Sequence, residues 1–575
     1  MSDHPLGESP QGLSLVSHRV AALPLINHIC RRLQLDSLLD AYVPVRDARE
    51  KLPPAICLGV LTRNLALGKH PLYAIAQWAT KWEPDLLGGN PGELAKLDDD
   101  RVGRALDRLF QADRASLLTE VVMRTVRQFE VALEQLHNDS TTITFTGAYR
   151  EATGRRLAGQ QALRITHGHN KDHRPDLKQL LWVLTVSADG SVPIHYRALD
   201  GNTADVVTHL PTWEMLTKLA GRTDFLYVAD SKLCDRETMA AIDHRGGRFL
   251  TVMPRSRSED AWFRRWLQTN EPAWQEVSRS AHPRRKEGAE NVWRALESPA
   301  PSAEGYRIVW VWNSLKALED LDSRQSRIER ALARLEALNE QLANPRSRTR
   351  TAEAVEAALA NAVGNAAAWI KTGFDEISNE RFRKLGPGRP GPDSLYEKEE
   401  RWRWRVNWKV DVEAVKYDAR SDGMFPLITN DPGLALADVL AKYKYQPQLE
   451  KRHQALKSVL EVAPVWLKNE GRIEALLFLY YLALLIHALL ERELKRAMVA
   501  TDLKQLPLYP EGRLTAAPTT ELMLNLFEDL QVHHLFQHGQ LVQTFPPELT
   551  DLQNQLLGLL SITPDTLLLP ATPTP

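Results

Sequence analysis

Cysteine is scarce. Cys30, Cys57 and Cys234 are the only three in 575 residues. They lie far apart and form no Cys-x-x-Cys pair, which argues against a disulfide framework or a cysteine-type zinc site and points to a reducing compartment. An excess of one charge sign is also missing: the formal net charge is −1. Any polyanion must therefore be met by local basic patches, not by the overall field of the molecule. The first residues, Met1-Ser2-Asp3-His4-Pro5-Leu6-Gly7-Glu8, lack the basic and apolar regions of a signal peptide. The longest apolar run, Ala475 to Leu490, is 16 residues, contains His487 and is followed by Glu491. That is short for a bilayer span, so a buried core helix and no membrane contact are expected. No P-loop and no Ser-His-Asp arrangement occurs, leaving ATP hydrolysis and acyl transfer without support. Gly386-Pro387-Gly388-Arg389-Pro390-Gly391 matches G-x-G-x-x-G in letters alone. With two prolines and no strand-to-helix context, it reads as a loop.

What is present is an ordinary globular composition, 43% hydrophobic and 25% charged, over a length that suits several domains. Residues 1–130 read as a helical domain. Amphipathic runs end near Leu39 and span Pro54 to Leu67 and Tyr73 to Trp82, and Asp98-Asp99-Asp100 caps another carrying Val102, Leu106 and Leu109. Such a bundle suits either DNA-end recognition or scaffolding and dimerisation. Residues 131–255 alternate strand and helix patterns. Thr141–Phe145 is β-rich, and Leu180 to Val186 and Val192 to Tyr196 flank the hairpin signal Ala188-Asp189-Gly190. Phe225–Val228 and Phe249–Val252 read as buried strands. Residues 256–425 read as an α+β insertion, with a helix from Arg324 to Ala343 ended by Pro345 and a return over Ala352 to Val363. Residues 426–495 return to the core, and 496–575 read as a Leu/Pro-rich helical tail ending in Ala571-Thr572-Pro573-Thr574-Pro575.

Two stretches carry local positive charge. Residues 255–286 have eight Lys/Arg against four Asp/Glu, and residues 381–410 have nine against four. Within the second, Arg401-Trp402-Arg403-Trp404-Arg405-Val406-Asn407-Trp408-Lys409 alternates. A strand here places Trp402, Trp404, Val406 and Trp408 on one face and Arg401, Arg403, Arg405 and Lys409 on the other. The basic row suits DNA phosphates or a solvated face. His167, His169, Asp172 and His173 invite a zinc reading, but the segment is polar and without cysteine. Its Lys171 and Arg174, with the nearby Lys178, fit phosphate better.

Three carboxylates occupy settings that suit one metal centre: Asp139 heads a strand, Asp230 ends another, and Glu450 lies on a helix. Carboxylates are hard oxygen ligands, and two or three converging on a point hold divalent ions. From Asp139 to Asp230 is 91 positions and from Asp230 to Glu450 is 220. The second gap exceeds one strand and helix, which is the reason for placing an insertion there.

Around these residues the chain resembles insertion-sequence transposases of the DDE type, in the branch with a Tyr-Arg-Glu-Lys signature. There Arg follows Tyr after two residues, Glu follows after three more, and Lys after six more. Tyr443, Gln446, Glu450 and Lys457 hold those places, Gln446 departing from Arg. The resemblance extends through His167 to Gln179, Asp200-Gly201-Asn202-Thr203 and Leu427-Ile428-Thr429-Asn430-Asp431, in the family's order over most of the chain. It implies an α/β fold: an RNase H-like mixed sheet with flanking helices, an antiparallel meander carrying one Asp and a parallel strand bearing the second. The N-terminal helical domain, the large α+β insertion and the helical tail surround it. It further implies that Asp139, Asp230 and Glu450 bind two Mg²⁺ (or Mn²⁺) ions, and that Tyr443 and Lys457 position phosphate in the catalytic site. Lys171, Arg174, Lys178, Gln446, Arg401, Arg403 and Arg405 are the candidate DNA contacts. The implied activity is metal-dependent cleavage of transposon-end DNA and transfer of the 3′-OH strand to target, of the cut-and-paste type. The implied partners are double-stranded DNA at the ends and target and a second copy of the chain, and the implied location is the nucleoid in the cytoplasm. The alternatives are an RNase H-like nuclease or an immobile remnant acting as a DNA-binding protein.

Overall fold

The computed structural model describes residues 12–46, 50–68, 70–281, 290–344, 346–463, 465, 467–564 and 567, with Asn379 and Arg401 described by backbone alone. Pro345 and the segment Ala571–Pro575 lie outside the described residues. The chain is mixed α/β and divides into two compact units, residues 1–251 with 442–575, and residues 252–441.

In the first unit the helical runs form where the sequence places them. Pro54 opens the helix Pro54–Leu67, where its missing N–H costs nothing. Asp98 caps Asp99–Gln111 by accepting from the Arg101 amide. The first amphipathic run is broken into Leu23–Leu33 and Leu35–Tyr42 by Gln34, which takes a left-handed conformation at φ 52°. Inside this bundle Arg63 is buried and satisfied by a two-pronged pair with Asp36 at 2.9 and 2.8 Å and by Asn27 at 2.8 Å. Cys30, Cys57 and Cys234 are free and buried.

The mixed sheet of this unit runs in the order Pro193–Asp200, Lys178–Ser187, Gln135–Phe145, Leu226–Ala229, Arg248–Val252. The first three strands form an antiparallel meander; the last two are parallel to Gln135–Phe145. The helix Glu470–Ala500 backs the sheet. Its middle, residues 475–490, is buried and apolar all round but for His487, the signature of a core helix. By length and composition alone it is long and apolar enough to cross a membrane, yet its apolar window is entirely buried within the protein. Tyr196 ties the meander to it, stacking on Trp182 at 4.7 Å and on Tyr481 at 4.8 Å between ring centroids. Two glycines allow the loops at the sheet's end to stack. A Cβ on Gly168 would meet the Gly201 carbonyl at 2.0 Å, and one on Gly201 would meet the Gln179 carbonyl at 2.0 Å.

The tail departs from the helical expectation. After Ala500 come the helices Thr520–Leu526 and Asp551–Leu559, but between them lies the hairpin Gln531–Gln537 and Gln540–Phe545. Its turn, His538-Gly539, has φ of 48° and 79°, the two positive values a tight hairpin turn of the primed kind needs. The hairpin pairs antiparallel with an N-terminal strand, Leu13–Arg19, in a region expected to be mostly helical.

The second unit begins and ends differently from the expected 256–425 insertion. The strand Met424–Thr429 falls within these bounds and pairs antiparallel with Arg307–Asn313. The order continues through Glu290–Glu297 to Gln275–Ala281, all antiparallel. The long helix starts ten residues before Arg324, spanning Ser314–Ala343, capped by the Asn313 side chain on the Lys316 amide. Leu335, Leu338 and Leu342 pack with Val355, Leu359 and Val363 of Ala352–Val363. The antiparallel pair Ile370–Lys384 and Tyr396–Val410 is a two-stranded ribbon, with Gly386–Gly391 in its connecting loop as expected.

Candidate active site

The strand Gln135–Phe145 is parallel to Leu226–Ala229 over its first four residues only, with Asn138 opposite Ala229. The next position on each is Asp139 and Asp230. Neighbouring strands stand about 4.7–4.9 Å apart, so the two carboxylates leave the sheet side by side at the carboxyl end of the parallel pair. Asp139 is therefore inside its strand, not at its head. The parallel partner stops beside it while the antiparallel one, Lys178–Ser187, accompanies the strand to Phe145. Asp230 is fixed by its own backbone turn, its side chain accepting from the Lys232 amide at 3.0 Å.

The third carboxylate acts on this pair through its charge. The Asp139 carboxyl is pushed up to about 6, first by burial and then by the like charges of Asp230 and Glu450, against the opposing pull of Lys171. The Tyr443 hydroxyl is pushed up to about 12 by burial and then by Asp230, Glu450 and Asp139 together. Asp139 thus feels the charge of both partners, and Tyr443 that of all three. Other groups complete the surroundings. The Lys171 ammonium lies 3.1 Å from Asp205 and 3.9 Å from Asp139, and donates to the Ser140 hydroxyl and carbonyl at 2.7 Å. Asp205 accepts from the Ser140 hydroxyl at 2.9 Å. His209 Nε2 is 3.8 Å from Asp230, and His453 Nε2 is 3.7 Å from Asp139. Burial pushes the His453 imidazole down to about 3, with Lys171 and Lys457 adding to the effect, so it is neutral near pH 7.

Glu450 rides on the helix Gln446–Gln454, which turns Gln446, Leu449, Arg452 and His453 inward and leaves Glu450 exposed. Arg452 anchors this helix, pairing with Glu491 at 2.6 Å and donating to the Ser191 carbonyl at 3.0 Å. Gln446 is buried with both ends of its amide engaged: Oε1 lies 2.8 Å from His137 Nδ1, and Nε2 donates to the Asn138 carbonyl at 3.1 Å. It braces the strand next to Asp139, which corrects the expectation that it reaches DNA. A π-helical turn, Ala455–Val459, follows. It breaks the phase that would align Glu450 with Lys457, and such turns recur at functional sites. Lys457 instead donates to both oxygens of Asp172, at 2.7 and 2.9 Å. Asp172 belongs to the histidine-rich loop, where Asn170 holds the turn by accepting from the Asp172 and Arg174 amides. The loop's Asp172 is thus paired with Lys457.

The remaining basic candidates are engaged within the protein to different degrees. Arg174 pairs with Asp176 at 2.7 Å, and both are exposed. Lys178 donates to the Ala148 carbonyl at 2.6 Å. In the second unit Arg405 stands directly across the ribbon from Asp375, and Arg403 from Ile377, so the basic face is partly offset by an acid. The Arg401 side chain lies outside the described residues. Of the 255–286 patch, Arg257 pairs with Glu259 and Glu304, Arg264 with Asp260, and Arg279 with Glu276 and Glu290. Those arginines are largely neutralised locally, and Arg284, Arg285 and Lys286 lie outside the described residues.

Sequence reasoning missed Asp205 and His209. Asp205 follows Asp200-Gly201-Asn202-Thr203 by two residues, the one signal that could have drawn attention to it. Asp139 and Asp205 both lie beside the Lys171 ammonium, Asp230 stands on the strand next to Asp139, and the charges of Asp230 and Glu450 add to the burial that raises the Asp139 carboxyl. Such a set of hard oxygen donors fits a hard divalent cation.

Residues 15–123 match a family model described as a domain of unknown function, DUF4277. No curated protein matches the chain. Similar solved structures include a piggyBac transposase synaptic complex with hairpin DNA, at 10% identity and TM-score 0.24, covering 51% of this chain and 59% of that one. Another is a pre-cleavage Mos1 transpososome, at 13% identity and TM-score 0.14, covering 32% of this chain and 60% of that one. The match thus spans about three fifths of each of those chains, and likenesses this partial carry no argument about activity.

Proposed function

We propose that this protein is a DDE-type insertion-sequence transposase, cleaving DNA at the ends of its element and joining the freed strand to target DNA. What supports the reading most is the side-by-side placing of Asp139 and Asp230 at the carboxyl end of two parallel strands, with the Glu450 charge acting on both Asp139 and Tyr443. The meander carrying Asp139 and the parallel strand bearing Asp230 agree with the RNase H-like sheet that the sequence resemblance implies.

Asp139, Asp230 and Glu450 would hold two Mg²⁺ or Mn²⁺ ions, which supply the clamp on the attacking and leaving oxygens of an in-line phosphodiester displacement. The protein's own groups do the rest. Tyr443, protonated at any working pH, offers its hydroxyl as a donor to phosphate. Lys171 fixes Asp139 and Asp205 around Ser140. Lys457, steered by Asp172, brings a cation to the rim. His137 and Gln446 hold the strand that carries Asp139 in register. Arg174, Lys178, Arg403 and Arg405 are the proposed wider DNA contacts. DNA ends, target DNA and a second copy of the chain are the proposed partners, in the cytoplasm at the nucleoid.

The test is cleavage of linear DNA carrying the element's ends with Mg²⁺. Asp139→Asn, Asp230→Asn and Glu450→Gln should each abolish cutting while leaving DNA binding largely intact, because each removes a ligand charge and no phosphate contact. Full cutting by Glu450→Gln would pass the third position to Asp205, the other carboxylate at the centre. Cleavage without strand joining would favour the plain nuclease reading.

A further inference from the structure

Far from these carboxylates in sequence, a second set of ligand-type side chains meets at the join between the chain's N-terminal and C-terminal strands. His18 Nδ1, Glu83 Oε2 and His534 Nε2 all lie within 4.8 Å of one another. The backbone puts them there. In the pairing of Leu13–Arg19 with Gln531–Gln537, Val16 stands opposite His534. His18, two residues along, therefore shares the face of His534 as its diagonal neighbour. On the other edge of the N-terminal strand, the Arg19 amide donates to the Lys81 carbonyl at 2.7 Å and the Glu83 amide donates to the Arg19 carbonyl at 2.9 Å. Main-chain bonds on both sides of one strand thus fix all three donors, so assembling them costs little further ordering.

Two imidazoles and a carboxylate are a transition-metal donor set, unlike the all-oxygen catalytic centre. With Zn–N and Zn–O bonds of about 2.0–2.2 Å, tetrahedral donors stand about 3.3–3.5 Å apart. His18 Nδ1 is 3.2 Å and His534 Nε2 is 2.9 Å from Glu83 Oε2, close to that spacing. The far nitrogen of His534, Nδ1, lies 3.0 Å from the Thr544 hydroxyl on the next strand of the hairpin. An oxygen partner there is what a metal-bound imidazole uses to set its tautomer and orientation. The side chains are shielded but reachable, at 23%, 13% and 15% exposure for His18, Glu83 and His534.

We propose that His18, Glu83 and His534 bind one zinc ion that clasps the N-terminal strand to the C-terminal hairpin. Three protein ligands leave a fourth position for water, and the site's role is to fasten the two ends of the chain, separate from DNA chemistry. The competing arrangement is a metal-free hydrogen-bonded bridge in which both imidazoles donate to Glu83.

The experiment uses the full chain, stripped with a chelator and titrated with zinc in excess Mg²⁺, so that the catalytic carboxylates are occupied by Mg²⁺. One zinc per chain should bind and raise the thermal midpoint. His534→Gln and Glu83→Gln should each weaken that binding at least tenfold. His533→Gln, on the opposite face beside Ser17, should not. Equal zinc affinity and stoichiometry in wild type and His534→Gln, or a midpoint that zinc does not move, would overturn the proposal. Should the variants fail to fold, X-ray absorption of the zinc-loaded wild type decides. Two imidazoles and a light oxygen shell at about 2.0–2.2 Å are expected, and fewer than two imidazoles would sink it.

Discussion

Gln446 stands where the signature has arginine, and its surroundings account for its role. Its amide links His137 to the Asn138 carbonyl, one residue from Asp139. Both links are buried, so truncation leaves polar groups unpaired at a cost of about 1–3 kcal/mol. Gln446→Ala should therefore lower the urea midpoint and the cleavage rate, yet leave the salt dependence of DNA binding unchanged. A smaller salt slope would return Gln446 to the phosphate contacts. The two aspartates were legible in the sequence because each sits beside a run with strand character. Asp205 and His209 were not, because a lone Asp before a helix or a buried His takes its meaning from partners on other elements. The Asp172 pairing of Lys457 was hidden for the same reason: a π turn is a tertiary accommodation that no local spacing announces.

The Arg/Trp strand shows what periodicity can and cannot say about an element. Its alternation is real. Val406 is buried, and Trp404 and Trp408 pack with Phe374 onto the helices Ser314–Ala343 and Ala352–Val363. Trp402, on the same face, is 60% exposed, and toward the ribbon's connection Phe382 and Tyr396 are exposed as well. Alternation identifies a face; only the lengths of the covering helices decide how much of it is covered. Trp404→Ala removes a half-buried ring, its T-shaped packing on Phe374 at 5.4 Å and its bond to the Arg350 carbonyl. The expected loss is about 2–3 kcal/mol, below the range for a fully buried tryptophan, while Trp402→Ala should stay within about 0.5 kcal/mol. Calorimetry of the two variants would show whether the covered and uncovered halves differ this way. Arg403→Gln with Arg405→Gln tests the other face. For every phosphate that an arginine no longer neutralises, the salt slope of DNA binding should drop by about 0.9. An unchanged slope leaves that face merely solvated. The C-terminal hairpin was illegible for a different reason. Gln531–Gln537 alternates weakly, and its pairing partner, Leu13–Arg19, lies more than five hundred residues away, so its strand character depends on tertiary context.

At the scale of the molecule, the sequence located a large insertion by the gap between Asp230 and Glu450, but not its edge. Met424–Thr429 reads as a buried strand, and its antiparallel pairing with Arg307–Asn313 is a long-range partnership that no local pattern announces. The unit that holds the candidate site carries several titratable groups whose burial makes its stability depend on pH. His28, His137 and His195 are each pushed down to about 4, burial being the first cause in every case. Unfolded histidine titrates near 6.5. Between about pH 6.5 and 4 the unfolded chain takes up protons that these folded imidazoles refuse, so their contribution to stability is present above that window and lost as pH falls through it. Asp139 works the other way. Its folded carboxyl, at about 6, binds a proton before the unfolded one, and so adds stability as pH falls toward 3.8, the ordinary aspartate value. With His453, pushed down to about 3, four histidines stand against this one carboxyl and give a net loss on acidification. The urea midpoint of the metal-free protein should therefore fall between pH 7 and pH 4.5 at constant ionic strength. His195→Asn, which removes one of the refused protons, should flatten that dependence. A midpoint that holds steady in the wild type, or falls as steeply in His195→Asn, would mean that the buried imidazoles accept protons within the folded state.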